Sequence, residues 1–447
     1  MSRILFFIGS ACVVAGIAYG ASQYWVTEPV VETPQATVSS VPASLDELPE
    51  VKPTVAVKAV SSTPTPVKRP PEKLVILAES STPGKDSKDP YIKQGKNFIS
   101  LAKFPEAQNA FKQADQNDPV ALYYNGLMAT YFGDRSQTEN AFNAIKSLPN
   151  VDAKINANIQ KITDTYALFD TYQDARSEFL ATLLAKQLLV IGEVDLAIGK
   201  LEYVQNKVAD YTDINTLLGA AYLIKGNYEK AVNILSKALP NDRPEVYYWL
   251  GVAHLYQQNF NKAIGAFQLS LNKGYRPTFK PHEKMGDAYL TMNNFEQAVT
   301  EYKTAFDSLE GSQYIDLYIR PVWILIDKLA RPEEALLVAN QAISRLPQNA
   351  MAHNLVGWAQ LALGNFTEAK LALEKSISLD ITLAATYLNL GNYYRSQNDL
   401  IQAKVNYEKA VSYDKQGSIA RAARANLQSL VTQVPEGSTG AVFNPIP

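Results

Sequence analysis

The sequence is poor in the residues that build catalytic and metal sites. One cysteine, Cys12, and three histidines, His254, His282 and His353, occur in 447 residues. A lone cysteine excludes an intramolecular disulfide framework and a multi-thiolate metal site. The histidines stand far apart, with no HExxH pattern and no compact cluster with carboxylates, so neither a metal nor another cofactor is expected. The chain also lacks GxxxxGK followed by Ser or Thr, GxGxxG between a strand and a helix, and GxSxG. No phosphate cradle or nucleophile elbow is therefore indicated, and the chain is not expected to be an enzyme. A basic excess is missing too: Lys and Arg total 42 against 44 Asp and Glu, for a net charge of -2, so no nucleic-acid partner is expected.

Charge is absent altogether from residues 4–27. About 20 apolar residues suffice for a membrane-spanning helix. Tyr24 and Trp25 close the run with interfacial aromatics, Arg3 precedes it and Glu28 follows it. Residues 1–27 thus predict an N-terminal transmembrane anchor or signal segment. A cleavable signal peptide is the rival reading, with small residues at Ala18 and Gly20. The expected location is the inner (cytoplasmic) membrane, single-pass, with the rest of the chain in the periplasm or otherwise outside the cytoplasm. Residues 28–88 are scattered with proline, including Pro29, Pro53, Pro70 and Pro83, and predict a disordered linker without helical periodicity.

What the remainder has in abundance is repetition. Leu218-Gly219 is followed by Tyr222, Ala231, Leu235 and Ala238; Met285-Gly286 by Tyr289, Ala298, Tyr302 and Ala305; Leu390-Gly391 by Tyr394, Ala403, Tyr407 and Ala410. Gly95, Gly251 and Gly357 open similar units, and Gly357 and Gly391 lie 34 residues apart. Weaker copies are read at Met128-Ala129 with Ala141, at Leu184-Ala185 with Ala197, and at Val322-Trp323 with Ala335. A turn such as Gly226-Asn227 or Asn398-Asp399 stands a few residues before each alanine. Small residues let two helices cross closely, and larger ones fill the space between pairs.

These residues resemble the tetratricopeptide repeat family. The resemblance implies an all-α superhelical solenoid of about nine helix pairs over residues 89–432. Irregular helices are expected at about 151–177, a capping helix at about 417–432, and a disordered tail over 433–447. The histidines occupy repeat packing positions and are expected to be structural. The resemblance further implies that the first helices line a groove for a protein or peptide partner. Candidate groove residues are Leu217, Tyr248, Trp249, Val252, Lys284, Arg320, Trp358, Asn389, Asn392 and Arg395. The expected function is a membrane-anchored, non-catalytic interaction scaffold for envelope, secretion, pilus or cell-wall assembly. The alternative is an accessory subunit of an envelope enzyme complex, of the cytochrome or polysaccharide biogenesis type.

Overall fold

The computed structural model describes Pro83 and residues 87–149, 151–172, 176–208, 212–309 and 314–433. The expected anchor, most of the linker and the tail after residue 433 lie outside the described residues. Among the described residues no helix is long and apolar enough to cross a membrane. The single-pass inner-membrane placement is therefore withdrawn: the run that suggested it, residues 4–27, is not among the helices described.

The described residues form 20 helices and no strand, an all-helical repeat solenoid. They belong to two compact units, one within Arg3–Arg276 and one within Pro277–Pro447. The first unit holds α1 (Pro90–Ser100), α2 (Phe104–Gln113), α3 (Pro119–Phe132), α4 (Arg135–Lys146), α5 (Ala153–Asp170), α6 (Ser177–Val190), α7 (Val194–Lys207), α8 (Thr212–Ile224), α9 (Tyr228–Ser236), α10 (Pro244–Tyr256) and α11 (Phe260–Asn272). The second holds α12 (Phe279–Thr291), α13 (Phe295–Asp307), α14 (Asp316–Trp323), α15 (Pro332–Arg345), α16 (Ala350–Ala362), α17 (Phe366–Leu379), α18 (Ala384–Ser396), α19 (Leu400–Asp414) and α20 (Ser418–Gln433). All but α5 and α20 are partners in antiparallel pairs, and within the units successive first helices such as α8 and α10, or α16 and α18, also pack on one another.

One local device builds every pair. The residue between the two helices has a left-handed backbone: Gly133, Gly192, Gly226 and Gly364 in four pairs, and Ala102, Gln258, Asn293, Ala330 and Asn398 in the other five. That conformation turns the chain back and lets the next amide reach the carbonyl five residues earlier, as Asn227 N does to Tyr222 O at 2.9 Å and Asp399 N to Tyr394 O at 2.9 Å. The side chains of Asp134, Asn227, Asn294 and Asp399 then accept from the backbone three residues on, capping the second helix.

Packing inside the pair follows from size. Sixteen residues after each repeat glycine stands a large residue that fills the glycine's missing side chain: Phe111 on Gly95, Phe142 on Gly126, Leu235 on Gly219, Phe267 on Gly251, Tyr302 on Gly286, Leu373 on Gly357 and Tyr407 on Gly391. A carbon added at Gly251 would stand 2.6 Å from the Phe267 ring, and one at Gly286 2.7 Å from the Tyr302 ring. These large residues are fully buried, each stabilising by roughly 1.5–3 kcal/mol.

Two weaker units need a corrected register. In α3–α4 the crossing residue is Gly126, packed by Phe142, not Ala129. Helix α3 is buried nearly all round, with Tyr123, Tyr124, Leu127, Met128 and Ala129 all inside, so its periodicity does not mark one face. In α14 the pattern places Trp323 at the crossing. The helix there carries a π turn over Ile324–Lys328, directly after Pro321 and Trp323. The amide after the turn, Arg331 N, bonds Leu325 O at 2.7 Å, six residues back instead of five. One extra residue is thus lodged in the helix. Val322, fully buried, takes the glycine's place, and Trp323 is only half-buried.

Candidate partner-binding groove

Four of the residues expected to line a groove lie in the first unit, and all four are buried: Leu217 in α8, and Tyr248, Trp249 and Val252 in α10. Tyr248 stacks on Tyr275 with ring centroids 4.5 Å apart, meets Trp249 edge-on at 5.1 Å and leans on Phe267 at 5.8 Å. Burial, with the neighbouring Tyr248 and Glu245, pushes the Tyr275 hydroxyl far up. These aromatics fill the interior around α10 and α11. In this conformation a partner would meet little of them.

The other six lie in the second unit. Lys284 sits in α12 and Arg320 in α14, and both converge on Asp287. Lys284 Nζ is 3.2 Å from Asp287 Oδ2, Tyr302 donates its hydroxyl to Asp287 Oδ1 at 2.7 Å, and the Arg320 guanidinium pairs with the same carboxylate. Burial alone would push the Asp287 carboxyl up. The Arg320 and Lys284 charges and the Tyr302 hydrogen bond outweigh it, and the net direction is down. Arg320 keeps an exposed outer side and lies over the Tyr302 ring.

Asn389 and Asn392 share α18 but bond in opposite directions along the array. Asn389 donates to Asn354 Oδ1 in α16 at 2.9 Å, with both amides buried. Asn392 Oδ1 accepts from Tyr407 at 2.7 Å and from Asn426 Nδ2 in α20 at 3.0 Å. Trp358 in α16 is half-buried and Arg395, in the last turn of α18, is exposed. Side-chain links therefore join first helices α12 to α14 and α16 to α18, and join α18 to the closing helix α20. Asn354 and Asn426 are not among the expected groove residues, although they stand 35 and 34 positions from Asn389 and Asn392, about one repeat away.

Among the described residues no group of three or more His, Cys, Asp or Glu stands together as a metal site. His254 is buried within α10, His282 Nδ1 meets Glu301 Oε2 at 2.7 Å, and His353 Nε2 meets Pro347 O at 2.9 Å. A cleft of about 280 Å³ in the first unit is lined by Phe104, Ile198, Tyr222 and two ion pairs, Lys225–Asp195 at 2.7 Å and Lys230–Glu202 at 3.1 Å. Its charges neutralise each other.

A fold of stacked helix pairs, each closed by a left-handed turn and a glycine crossing, defines a helical-repeat protein. Tetratricopeptide repeat models match residues 216–276, 281–308, 327–380 and 384–416, and with the repeat geometry they support the tetratricopeptide repeat family for this chain. Among curated proteins, the chain is 21% identical over 332 residues to a DnaJ homolog subfamily C member 7 homolog of Dictyostelium discoideum, covering 64% of this chain and 61% of that protein. It is 26% identical over 207 residues to the BBSome complex member BBS4 of Bos taurus, covering 44% of this chain and 38% of that protein. The chain thus spans less than two thirds of either relative. Among solved structures, a tetratricopeptide repeat protein of Parabacteroides merdae matches at 16% identity and a TM-score of 0.39, covering 62% of this chain and 99% of that one. YrrB, described as a TPR protein with an unusual peptide-binding site, matches at 18% identity and a TM-score of 0.33, covering 43% of this chain and 97% of that one.

Proposed function

We propose that this protein is a non-catalytic interaction scaffold that holds an extended segment of a partner protein along the first helices of its second unit. The observation that carries the reading is the set of polar links in the second unit: Arg320 is fixed by Asp287, Asn389 by Asn354 and Asn392 by Asn426, each about one repeat away, while Lys284 is held by Asp287 within α12. Side chains already held in place lose little freedom on binding, which favours affinity. Asn amides match the donors and acceptors of a peptide backbone. Trp358 and Arg395 supply the residue types over-represented at binding hot spots. The bovine relative is named as a member of a complex, which agrees with a role in assembly.

The test is photo-crosslinking in the native host, with a benzophenone amino acid at position 358 or at Leu337, an exposed residue of the second helix α15. Discrete protein adducts are expected from position 358. They should disappear when Asn392→Ala and Arg395→Ala are combined, with circular dichroism unchanged. Equal adducts from position 337, or adducts indifferent to the two substitutions, would overturn the reading.

A further inference from the structure

A second polar constellation lies in the first unit, where the sequence pattern gives no reason to look for one. The residue opening the second helix of a pair is Asp or Asn in six pairs, among them Asp134, Asn227, Asn294 and Asp399. Ahead of α7 it is Glu193, which does not cap its helix. Its longer side chain turns inward, and Tyr124 Oη of α3 lies 3.0 Å from Glu193 Oε1. The same hydroxyl lies 3.2 Å from the backbone oxygen of Pro83, and Lys96 Nζ of α1 lies 3.0 Å from that oxygen. Pro83, Tyr124 and Glu193 are all buried. Pro83 is thus seated against two side chains, Lys96 of α1 and Tyr124 of α3, with Glu193 behind Tyr124.

Counting protons gives this seat its property. A tyrosine hydroxyl has one proton to donate, a peptide oxygen only accepts, and an ionised carboxylate only accepts. With Glu193 ionised, Tyr124 can serve the carboxylate or Pro83, not both, and the charged acceptor makes the stronger bond. With Glu193 protonated, the acid donates to Tyr124 Oη and Tyr124 donates to Pro83, so both contacts are hydrogen bonds. We propose that Lys96, Tyr124 and Glu193 form a docking site for the chain's own Pro83, and that the dock tightens when Glu193 takes up a proton.

The groups facing Glu193 are Lys96 from α1, Tyr123 and Tyr124 from α3, Lys154 from α5 and Asp195 from α7. Burial dominates and lifts the Glu193 carboxyl to about 7, against the Tyr124 hydrogen bond and the Lys96 charge. The dock therefore changes state near neutral pH. Lys96 holds the Pro83 oxygen in both states, so the segment loosens without the carbonyl losing all its donors.

The test uses the full chain with Cys12→Ser and a nitroxide on Thr82→Cys, next to Pro83, followed by electron paramagnetic resonance. An immobilised component should grow as pH falls, with a midpoint at about 7. Glu193→Gln, whose amide donates to Tyr124 at every pH, should keep the label immobilised throughout. Tyr124→Phe should leave it more mobile throughout, and carries the same test should Glu193→Gln not fold. A label mobility that ignores pH in the parent, or the same midpoint surviving in either variant, would overturn the proposal.

Discussion

Ala330 holds a left-handed backbone, φ 50°, at a turn where four sibling pairs use glycine. A side chain in that region costs about 1–2 kcal/mol, and glycine gives back roughly 0.5–1 kcal/mol through its freer unfolded chain. Ala330→Gly should therefore stabilise by about 0.5–1 kcal/mol, read as a higher denaturation midpoint in urea; Gly226→Ala should do the reverse. Titration makes a second prediction at this scale. Glu193 has a folded value raised to about 7 from 4.5. A raised carboxyl contributes stability that is full below its unfolded value and is lost as pH rises through the folded one. The loss is about 3 kcal/mol between roughly pH 4.5 and 7. Denaturation of Glu193→Gln should show that fall abolished, and an unchanged fall would mean that other groups carry it. Buried Lys200, lowered to about 8 by burial, acts in the opposite sense at higher pH: its burden on the folded state eases as pH climbs from 8 toward 10.5.

Helix pairs are the scale at which the sequence was most legible. The spacing from glycine to the large residue that covers it recurs in seven pairs, because any other residue at the crossing would collide. Gly251→Val should cost about 1–3 kcal/mol by overpacking against Phe267. Pairing it with Phe267→Ala should recover part of that loss, since the smaller residue vacates the volume that the added side chain fills. A double-mutant cycle with no coupling would contradict this account. Two things were hidden. In α3 the neighbours cover nearly every side, so apolar residues name no face and spacing alone favours Ala129 over Gly126. In α14 a strict count put Trp323 at the crossing, because an extra residue absorbed within a helix leaves no mark in composition. Of the candidate groove residues, Lys284, Arg320, Asn389 and Asn392 stand in polar links within the second unit, whereas Tyr248 and Trp249 are buried in α10; counting along one helix does not reveal which of its sides the neighbours cover.

For the whole array, the ends matter most. Ala423 and Leu430 of α20 close a cluster made by Tyr387, Ala403, Tyr407 and Ala410. Ending the chain at Asp414 uncovers these residues. Since each repeat leans only on its neighbours, melting should begin there. Hydrogen exchange should show protection falling most in α19 and progressively less through α18, α17 and α16, with a lower melting temperature; a uniform loss would argue for one indivisible core. The π turn of α14 has its own meaning at this scale. A stack of repeats is a one-dimensional crystal, and a single inserted residue is a dislocation in it. Spread along the helix, the slip would rotate every later side chain by about 100°, the angle of one residue in a 3.6-fold turn. Confined to one wide turn before Arg331, it is annealed within a few residues, and α16 to α19 return to phase. A site that swallows one residue without disturbing its neighbours is where a lineage can change length and keep its fold.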